Sequence, residues 1–298
     1  MNVHRRSSLR YIAAAIAAAA LFAIARTSSG VSSAGIKTAR DIPYIASGGD
    51  PVLNTLDVYS PSGAHGAPVV VFIHGGGWKR GDKSTGASEK SQALPEHGYV
   101  FISINYRLAP SVKYPAMAKD CAKAISWIHA NIGKYGGDPN SIFIMGHSAG
   151  AHLSALLCTD THYLTTEGVP MKSIRGCIPL DGEYNLTMDG PRPRIVESIV
   201  SGAFGDDPAA RKDASPLYHI ATGKGIPPFL IIPVAWRIPS VKQSNDLAAA
   251  LQQANVQAKV APAEGKTHAT LNRAFGEDGD LPTQETYAFI DGIMGVRH

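Results

Sequence analysis

A serine flanked by glycines stands between an apolar run and a helix-forming segment. Residues 146–150 read Gly-His-Ser-Ala-Gly, after the apolar residues 142–145 and before the helix-forming residues 151–157. A G-x-S-x-G pattern between a strand and a helix is typical of a sharp turn that exposes a nucleophilic hydroxyl. Bulky residues beside the serine would collide with the strand and the helix. We therefore predict that Ser148 is a nucleophile at the carboxyl edge of a sheet.

Backbone donors for an oxyanion are expected near such a serine. Residues 74–78 read His-Gly-Gly-Gly-Trp, directly after the apolar run 68–73. Acyl transfer generates an oxyanion on the substrate carbonyl, and one backbone N–H aimed at it contributes about 3–4 kcal/mol. Consecutive glycines let the backbone come close to the substrate. Gly76 and Gly77 are the predicted donors, with Ala149 supplying the N–H after the nucleophile.

A base for Ser148 is expected after the last strand. Residues 265–268 read Gly-Lys-Thr-His, and His268 lies 120 residues after Ser148. Its predicted role is to take the serine proton and return it to the leaving alcohol.

Three other histidines lie beside these motifs. His147 and His152 flank the serine too closely in sequence to face its hydroxyl, so packing or substrate contact is predicted for both. His74 is predicted to be structural and to fix the glycine loop.

Apolar segments that alternate with helical patterns must position these residues. Predicted strands cover 42–46, 54–60, 68–73, 99–104, 142–145, 174–180, 228–232 and 256–260. Predicted helices cover 89–97, 116–132, 151–157, 245–254 and 283–294, and loops with short helices cover 185–225. Strands alternating with helices favour one α/β domain with a doubly wound, mostly parallel sheet.

The composition is that of an ordinary globular protein. Hydrophobic residues make up 44% of the 298 residues and charged residues 17%. The formal net charge of +4 owes much to Arg5, Arg6 and Arg10, since removing them leaves 28 − 3 = 25 bases against 24 acids. A nearly neutral body gives no reason to expect a nucleic-acid partner.

The first 25 residues have the pattern of a signal peptide. A basic segment precedes the apolar run 12–25, which ends in Ala23-Ile24-Ala25, a form that signal peptidase accepts. The run is short for a membrane span of about 20 residues, although an uncleaved anchor stays open. Arg5-Arg6 is a weak twin-arginine signature. We predict a cleavable signal peptide (1–25), a flexible lead (26–39), a catalytic domain (40–298), and a periplasmic or secreted protein without a membrane span after processing.

The three cysteines are few and scattered. Cys121, Cys158 and Cys177 lie in apolar contexts, so buried free thiols are predicted, with one disulfide plus one free cysteine as the alternative. Their spacing indicates no metal site.

The motifs together resemble those of the α/β-hydrolase superfamily, specifically its hormone-sensitive-lipase-like and feruloyl-esterase-like serine carboxylesterases. The resemblance covers about residues 40–295 and rests on four motifs in the family's order: 74–78, Tyr-Arg-Leu-Ala-Pro at 106–110, 146–150 and 265–268. It implies the α/β-hydrolase fold and hydrolysis of small-molecule carboxylic esters, often with short acyl chains, without metal or cofactor.

The chain departs from the family at the acid that orients the base. The family places this acid just after the strand at 228–232, and Trp236 stands at that position. Asp181, after the strand 174–180, is the best substitute, and Glu264 and Asp246 are weaker candidates. The alternatives are a slower Ser148–His268 dyad, or a catalytic site that has been lost or altered.

Three functions therefore stay open. The first is an exported serine esterase that acts on small or aryl esters. The second is an arylformamidase-like amidase, which shares the glycine loop and the serine turn. The third is a catalytically impaired binding protein of hydrolase fold, an alternative raised only by Trp236.

Overall fold

The computed structural model describes residues 35–87, 89–187 and 194–296. Within them the strands are β1 Ile36–Pro43, β2 Thr55–Pro61, β3 Ala67–Ile73, β4 Val100–Ile104, β5 Gly137–His147, β6 Ile174–Leu180, β7 Phe229–Ile231 and β8 Ala258–Val260. The α-helices are α1 Lys83–Ala87, α2 Lys90–Glu96, α3 Tyr114–Asn131, α4 Ala149–Thr159, α5 His162–Thr166, α6 Arg194–Phe204, α7 Pro208–Asp213, α8 Ile238–Gln253, α9 His268–Arg273 and α10 Leu281–Met294.

The strands form one sheet in the order β1-β2-β4-β3-β5-β6-β7-β8. The pairs β1–β2 and β2–β4 are antiparallel, and every later pair is parallel. The carboxyl ends of the parallel strands meet at one edge, where α/β proteins carry their sites. The predicted mostly parallel α/β sheet is confirmed.

The central strand β3 shows why this sheet is buried on both faces. Val69 and Val71 join one apolar cluster, and Val70 and Phe72 join a second cluster on the opposite face. Successive side chains of a strand point to opposite faces, so a strand that is apolar at every position needs helices on both sides.

Several boundaries differ from the sequence prediction. The first strand is Ile36–Pro43 and not 42–46, so residues 36–39 of the predicted flexible lead belong to the sheet. The short helices α1 and α9 lie in stretches for which no helix is predicted, and α8 begins at Ile238, seven residues before the predicted start. α1 and α9 are too short to show a helical repeat of apolar residues.

The predicted signal peptide and most of the lead fall in residues 1–34, outside the described residues. Within the described part of the chain no helix combines the length and the apolar character that a bilayer crossing requires. Cys121, Cys158 and Cys177 are all buried free thiols, as predicted.

Candidate active site

Ser148 lies at the turn between β5 and α4. Its backbone angles are φ 56° and ψ −117°, a left-handed conformation that a non-glycine residue rarely adopts. Two backbone hydrogen bonds stabilise this strained conformation. Ser148 N donates to Leu180 O at 2.9 Å, and His152 N donates to Ser148 O at 3.1 Å. The turn places Ser148 immediately before the first helical residue, Ala149.

Around the serine, only glycine fits at three positions, because a Cβ would collide with neighbouring atoms. A Cβ on Gly146 would lie 2.2 Å from Gly150 O, and a Cβ on Gly150 would lie 1.9 Å from Ile73 O. A Cβ on Gly75 would lie 3.0 Å from Ser148 Cβ. Backbone oxygens cannot move aside as flexible side chains do, so β3, β5 and α4 meet at a contact that only glycine permits.

The glycine loop after β3 leaves its amide donors available. Gly76 and Gly77 have φ values of 114° and 62°. Among the described residues, neither N–H donates a hydrogen bond. Ala149 is the first residue of α4, so its N–H has no partner within the helix. All three predicted donors line the same cavity as Ser148.

His74 supports the glycine loop from inside the protein. Its Nδ1 lies 2.8 Å from Gly75 O, and its ring stacks on Tyr106 with centroids 4.5 Å apart. The Tyr106 hydroxyl donates to His74 O at 3.1 Å. Burial lowers the pKa of His74, so the ring stays neutral in the role that the sequence predicted.

His268 begins α9 and faces Asp181 at the end of β6. The His268 Nδ1 lies 2.5 Å from Asp181 Oδ2. A carboxylate only accepts, so Nδ1–H donates and Nε2 is left with a free lone pair. This is the tautomer that a general base for a serine hydroxyl needs.

The buried Asp181 has three further donors. Val234 N lies 3.2 Å from Oδ1, Ser240 Oγ donates to Oδ1, and the Arg237 guanidinium contacts Oδ2. Burial alone would raise the pKa of Asp181, but the bonds from His268 and Ser240 and the Arg237 charge outweigh burial and hold the pKa well below its usual range. Asp181 is therefore an anion throughout the neutral range.

Arg237 also approaches the histidine, with Nη1 2.9 Å from His268 Nδ1. A guanidinium only donates, so Nδ1 cannot accept from Arg237 and donate to Asp181 at once. The shorter, charge-assisted contact with the carboxylate decides the tautomer. Arg237 and Ser240 were missed by the sequence reasoning, because no local pattern shows that the start of α8 reaches the end of β6.

Among the described residues, Trp236 makes no hydrogen bond and no ring-stacking contact with His268. Its side chain is 62% exposed, and its Nε1 donates to Lys266 O at 2.8 Å. Of the weaker acid candidates, Glu264 is exposed and Asp246 pairs with Lys242 on α8 at 2.6 Å. Within the described residues His268 therefore pairs with Asp181, and neither Glu264 nor Asp246 forms an ion pair with it.

His147 and His152 lie close to the serine but serve other contacts. His147 Nε2 donates to His268 O at 2.8 Å and so fixes the backbone of that residue. Burial, helped by nearby His268, lowers the pKa of His147 to about 3. His152 Nε2 donates to Ala214 O at 2.7 Å, and burial lowers the pKa of His152 to about 4. Both rings are therefore neutral.

One cavity of about 820 Å³ joins these parts. Its lining includes the serine, the histidine, the aspartate and the three amide donors: Ser148, His268, Asp181, Gly76, Gly77 and Ala149. Two smaller cavities, of about 380 and 330 Å³, contain none of these residues. No group of three or more potential metal ligands occurs in the described residues.

The BD-FAE family model matches residues 56–251 of this chain. The chain belongs to the BD-FAE family. This feruloyl-esterase-like family lies within the α/β-hydrolase carboxylesterases, so the predicted resemblance is confirmed. The matched segment contains the serine turn, the glycine loop and Asp181, and it ends before His268.

Proteins similar to this BD-FAE member carry esterase names. Esterase LipQ of Mycobacterium tuberculosis is 33% identical over 274 residues, which cover 86% of this chain and 63% of that protein. The isoprenylcysteine alpha-carbonyl methylesterase ICME of Arabidopsis thaliana is 34% identical over 75% of this chain and 55% of its own length. The chain thus spans about half to two thirds of the length of these relatives.

Solved structures share the fold of this BD-FAE member at lower identity. A truncated carbohydrate esterase from gut microbiota has a TM-score of 0.73 at 21% identity, covering 87% of this chain and 96% of that one. An esterase from Pyrobaculum calidifontis has a TM-score of 0.71 at 23% identity, covering 88% and 87%. These likenesses confirm the α/β-hydrolase architecture.

Proposed function

We propose that this protein is a serine esterase that hydrolyses carboxylic esters through an acyl-enzyme on Ser148. The observation that carries the proposal is the contact between His268 Nδ1 and Asp181 Oδ2 at 2.5 Å, in the cavity that also holds Ser148. The esterase names of the relatives and the family membership point the same way.

The chemistry follows from the positions of the donors and acceptors. His268 Nε2 takes the proton as Ser148 Oγ attacks the ester carbonyl, and the N–H groups of Gly76, Gly77 and Ala149 stabilise the oxyanion. Collapse of the tetrahedral intermediate breaks the acyl C–O bond, and His268 returns the proton to the leaving alcohol. Water then attacks the acyl-enzyme by the same route and regenerates the serine.

Asp181 is the proposed acid of the triad. It holds the tautomer of His268 and stabilises the imidazolium that forms during the attack. Trp236 is the reason for considering an impaired site or a binding protein, and the contact between His268 Nδ1 and Asp181 Oδ2 supports an intact site instead.

Hydrolysis of p-nitrophenyl acetate by the wild type and by Ser148→Ala tests the proposal. We expect the variant to lose activity by about 10⁶-fold, to a level near background, because it lacks the nucleophile. Ser62→Ala, at the opposite edge of the sheet after β2, is the matched control and should keep full activity. Equal slow rates in wild type and Ser148→Ala would refute the esterase. Faster cleavage of N-formylaniline than of phenyl acetate would replace it by the amidase.

We also propose that the chain is exported and cleaved after Ala25, on the basis of the Ala23-Ile24-Ala25 site that follows the apolar run. Sequencing the amino terminus of the mature protein from the periplasm or the medium tests this. A mature chain that begins at Met1 would contradict it.

A further inference from the structure

The catalytic cavity has a part that is apolar and a part that is cationic. The apolar part comes from α6, whose Ile195, Val196, Ile199 and Val200 line the cavity. This helix lies against the glycine loop, because a Cβ on Gly77 would meet Ile199 Cγ2 at 3.0 Å. When the carbonyl oxygen of an ester is bound by the oxyanion donors, one arm of that ester therefore packs against these apolar side chains.

A second part of the lining comes from the segment after the glycine loop and from the end of α9. Arg80 and Thr85 contribute from the first, and Asn272 and Arg273 from the second. The end of α9 is tied to α2, the helix that follows the first segment in the chain, because Lys90 Nζ donates to Asn272 O at 2.5 Å. The polar groups of this part face the same space as Ser148.

The charges around the cavity do not balance. Four cationic side chains line it, Lys79, Arg80, Arg237 and Arg273, against the two carboxylates of Asp181 and Glu183. Two of the cations already have partners in the protein: Arg237 pairs with Asp181, and Lys79 Nζ donates to Ser198 O at 3.1 Å.

Arg80 and Arg273 are the cations that are left over. Both side chains are exposed, and within residues 35–87, 89–187 and 194–296 neither guanidinium has an ion pair, a hydrogen bond or an aromatic partner. The remaining carboxylate, Glu183, accepts from Gln243 Nε2 at 2.7 Å. Two free guanidinium groups in a concave site attract an anion and can bind a carboxylate through paired N–H donors.

We propose that the site selects esters that carry a carboxylate, or an anion of similar shape, on one arm. Arg80 and Arg273 bind this anion, and the other arm of the ester lies against the apolar face of α6. The proposal rests on the proposed function, because it describes the substrate of the Ser148 hydrolase. Neutral esters of the same size are then the poorer substrates.

The spacing fits a short arm between ester and anion. Arg80 is three residues after the oxyanion donor Gly77. Arg273 is five residues after His268 in the same helix, about 7.5 Å along its axis at 1.5 Å per residue. We therefore choose test esters in which a benzene ring or three methylene groups separate the ester group from the anion.

Matched pairs of esters test the proposal on each side of the ester bond. The pair 4-acetoxybenzoate and 4-acetoxybenzamide places the carboxylate or its neutral isostere on the alcohol arm. The pair monoethyl glutarate and ethyl 4-carbamoylbutanoate places them on the acyl arm. The measured quantity is the ratio of kcat/KM for the anionic ester to that for the amide, so inherent reactivity cancels when variants are compared.

The wild type should prefer the anion at least tenfold in one of the two pairs, with the difference mainly in KM. Arg80→Gln and Arg273→Gln should each lower the ratio about fivefold, and the double variant should bring it near one. Raising the salt concentration should lower the wild-type ratio but not that of the double variant. Arg80→Lys should keep part of the preference, because it retains the charge.

Lys172→Gln removes one exposed cation at the other edge of the sheet, just before β6, and should leave the ratio unchanged. A wild-type ratio of one or less in both pairs would overturn the inference, and so would a ratio that survives in the double variant. Either result would leave the esterase intact, provided that hydrolysis still requires Ser148. Failure of every ester to react in a Ser148-dependent way would instead refute the proposed function.

Discussion

Asp181 is the residue on which the proposed chemistry depends most. It receives hydrogen bonds from His268, Ser240 and Val234 and a charge contact from Arg237, and its side chain is buried. A carboxylate with this many donors is rigid as well as ionised. It therefore fixes the ring of His268 and not only its tautomer.

Replacing this carboxylate should cost most of the activity. Asp181→Asn should lower kcat about 10⁴-fold, because an amide can donate to Nδ1 and so favour the wrong tautomer. Steady-state hydrolysis of p-nitrophenyl acetate measures the effect. Asp246→Asn, which removes a carboxylate from the surface of α8, is the control and should change nothing. A normal rate for Asp181→Asn would remove Asp181 from the triad.

Placing an acid at the family's usual position should not raise kcat. Trp236→Asp places a carboxylate at the position where the family carries its acid, but His268 Nδ1 already donates to Asp181. We expect kcat of Trp236→Asp to stay within about threefold of the wild type or to fall, since the bond from Trp236 to Lys266 O is lost. A large gain in kcat would mean that Asp181 is not the working acid.

At the scale of the elements, the site depends on two strands and a helix that touch through glycine. The Cα atoms of Gly146 and Gly150 lie against backbone, with no room for a Cβ. Ser148 is held in its left-handed conformation by this contact. The geometry of the nucleophile is therefore a property of the β3–β5–α4 junction.

Adding a methyl group at this junction should damage both stability and activity. For Gly150→Ala we expect a loss of about 3 kcal/mol in the free energy of unfolding, because Ile73 O cannot move away from the new Cβ. Gly292→Ala, in the last turn of α10, is the control: nothing lies within 4 Å of the added Cβ, so a gain of about 0.5–1 kcal/mol in the free energy of unfolding is expected. Urea unfolding of the two variants beside the wild type measures both values.

A buried lysine joins α2 to the end of α9. Lys90 Nζ lies over the rings of Phe72 and Phe275 at 5.0 and 5.2 Å, and burial lowers the pKa of Lys90 to about 7. Between this pKa and the ordinary lysine value of about 10.4, the folded protein binds fewer protons than the unfolded chain. Lys90 therefore makes the free energy of unfolding rise as the pH rises from 7.

Lys90→Met should weaken the dependence of the free energy of unfolding on pH. The wild type should gain stability from pH 7 to pH 9, and the variant should gain less, since methionine does not titrate. Urea unfolding at the two pH values measures the difference, and exposed Lys172→Met should behave as the wild type does. Equal slopes for Lys90→Met and the wild type would show that Lys90 keeps its charge in the folded protein from pH 7 to pH 9.

Local sequence patterns predict much of the fold, but they do not predict the side-chain contacts between strands of the sheet. Apolar runs that are buried on both faces gave the parallel strands, and the glycines of 75–77 and 146–150 predicted the site because each lies directly after such a run. The α6 stripe of Ile195, Val196, Ile199 and Val200 has helical spacing and was overlooked among the prolines around it. Arg237 depends on a long side chain that reaches another strand, which no periodicity records.

For the whole molecule, the buried neutral histidines predict that the free energy of unfolding falls in acid. Burial lowers the pKa of His74, that of His147 to about 3 and that of His152 to about 4. Below the ordinary histidine pKa of about 6.5, the unfolded chain takes up protons that the folded protein does not. Asp181 acts in the same direction at lower pH, since its pKa is lowered by folding.

The free energy of unfolding should therefore fall steadily from pH 7 to pH 4. His152→Phe removes one of the titrating groups, so its slope over this range should be shallower than that of the wild type. At pH 7 the variant should be about 1–2 kcal/mol less stable, because Ala214 O loses its donor. Exposed His65→Phe is the control, and a slope for His152→Phe equal to that of the wild type would exclude His152 as a source of the acid lability.

The three buried cysteines make the protein suited to chemical labelling at one atom. Burial raises the pKa of Cys121 and Cys177 well above the usual thiol value, and Cys158 is equally inaccessible, so alkylating reagents should reach none of them in the folded protein. Ser148→Cys would then carry a single reactive thiol, at the centre of the cavity. Iodoacetamide should add one group per chain to this variant and none to the folded wild type, as mass spectrometry would show. Probes of graded size on that sulfur could then map the space that an acyl group occupies.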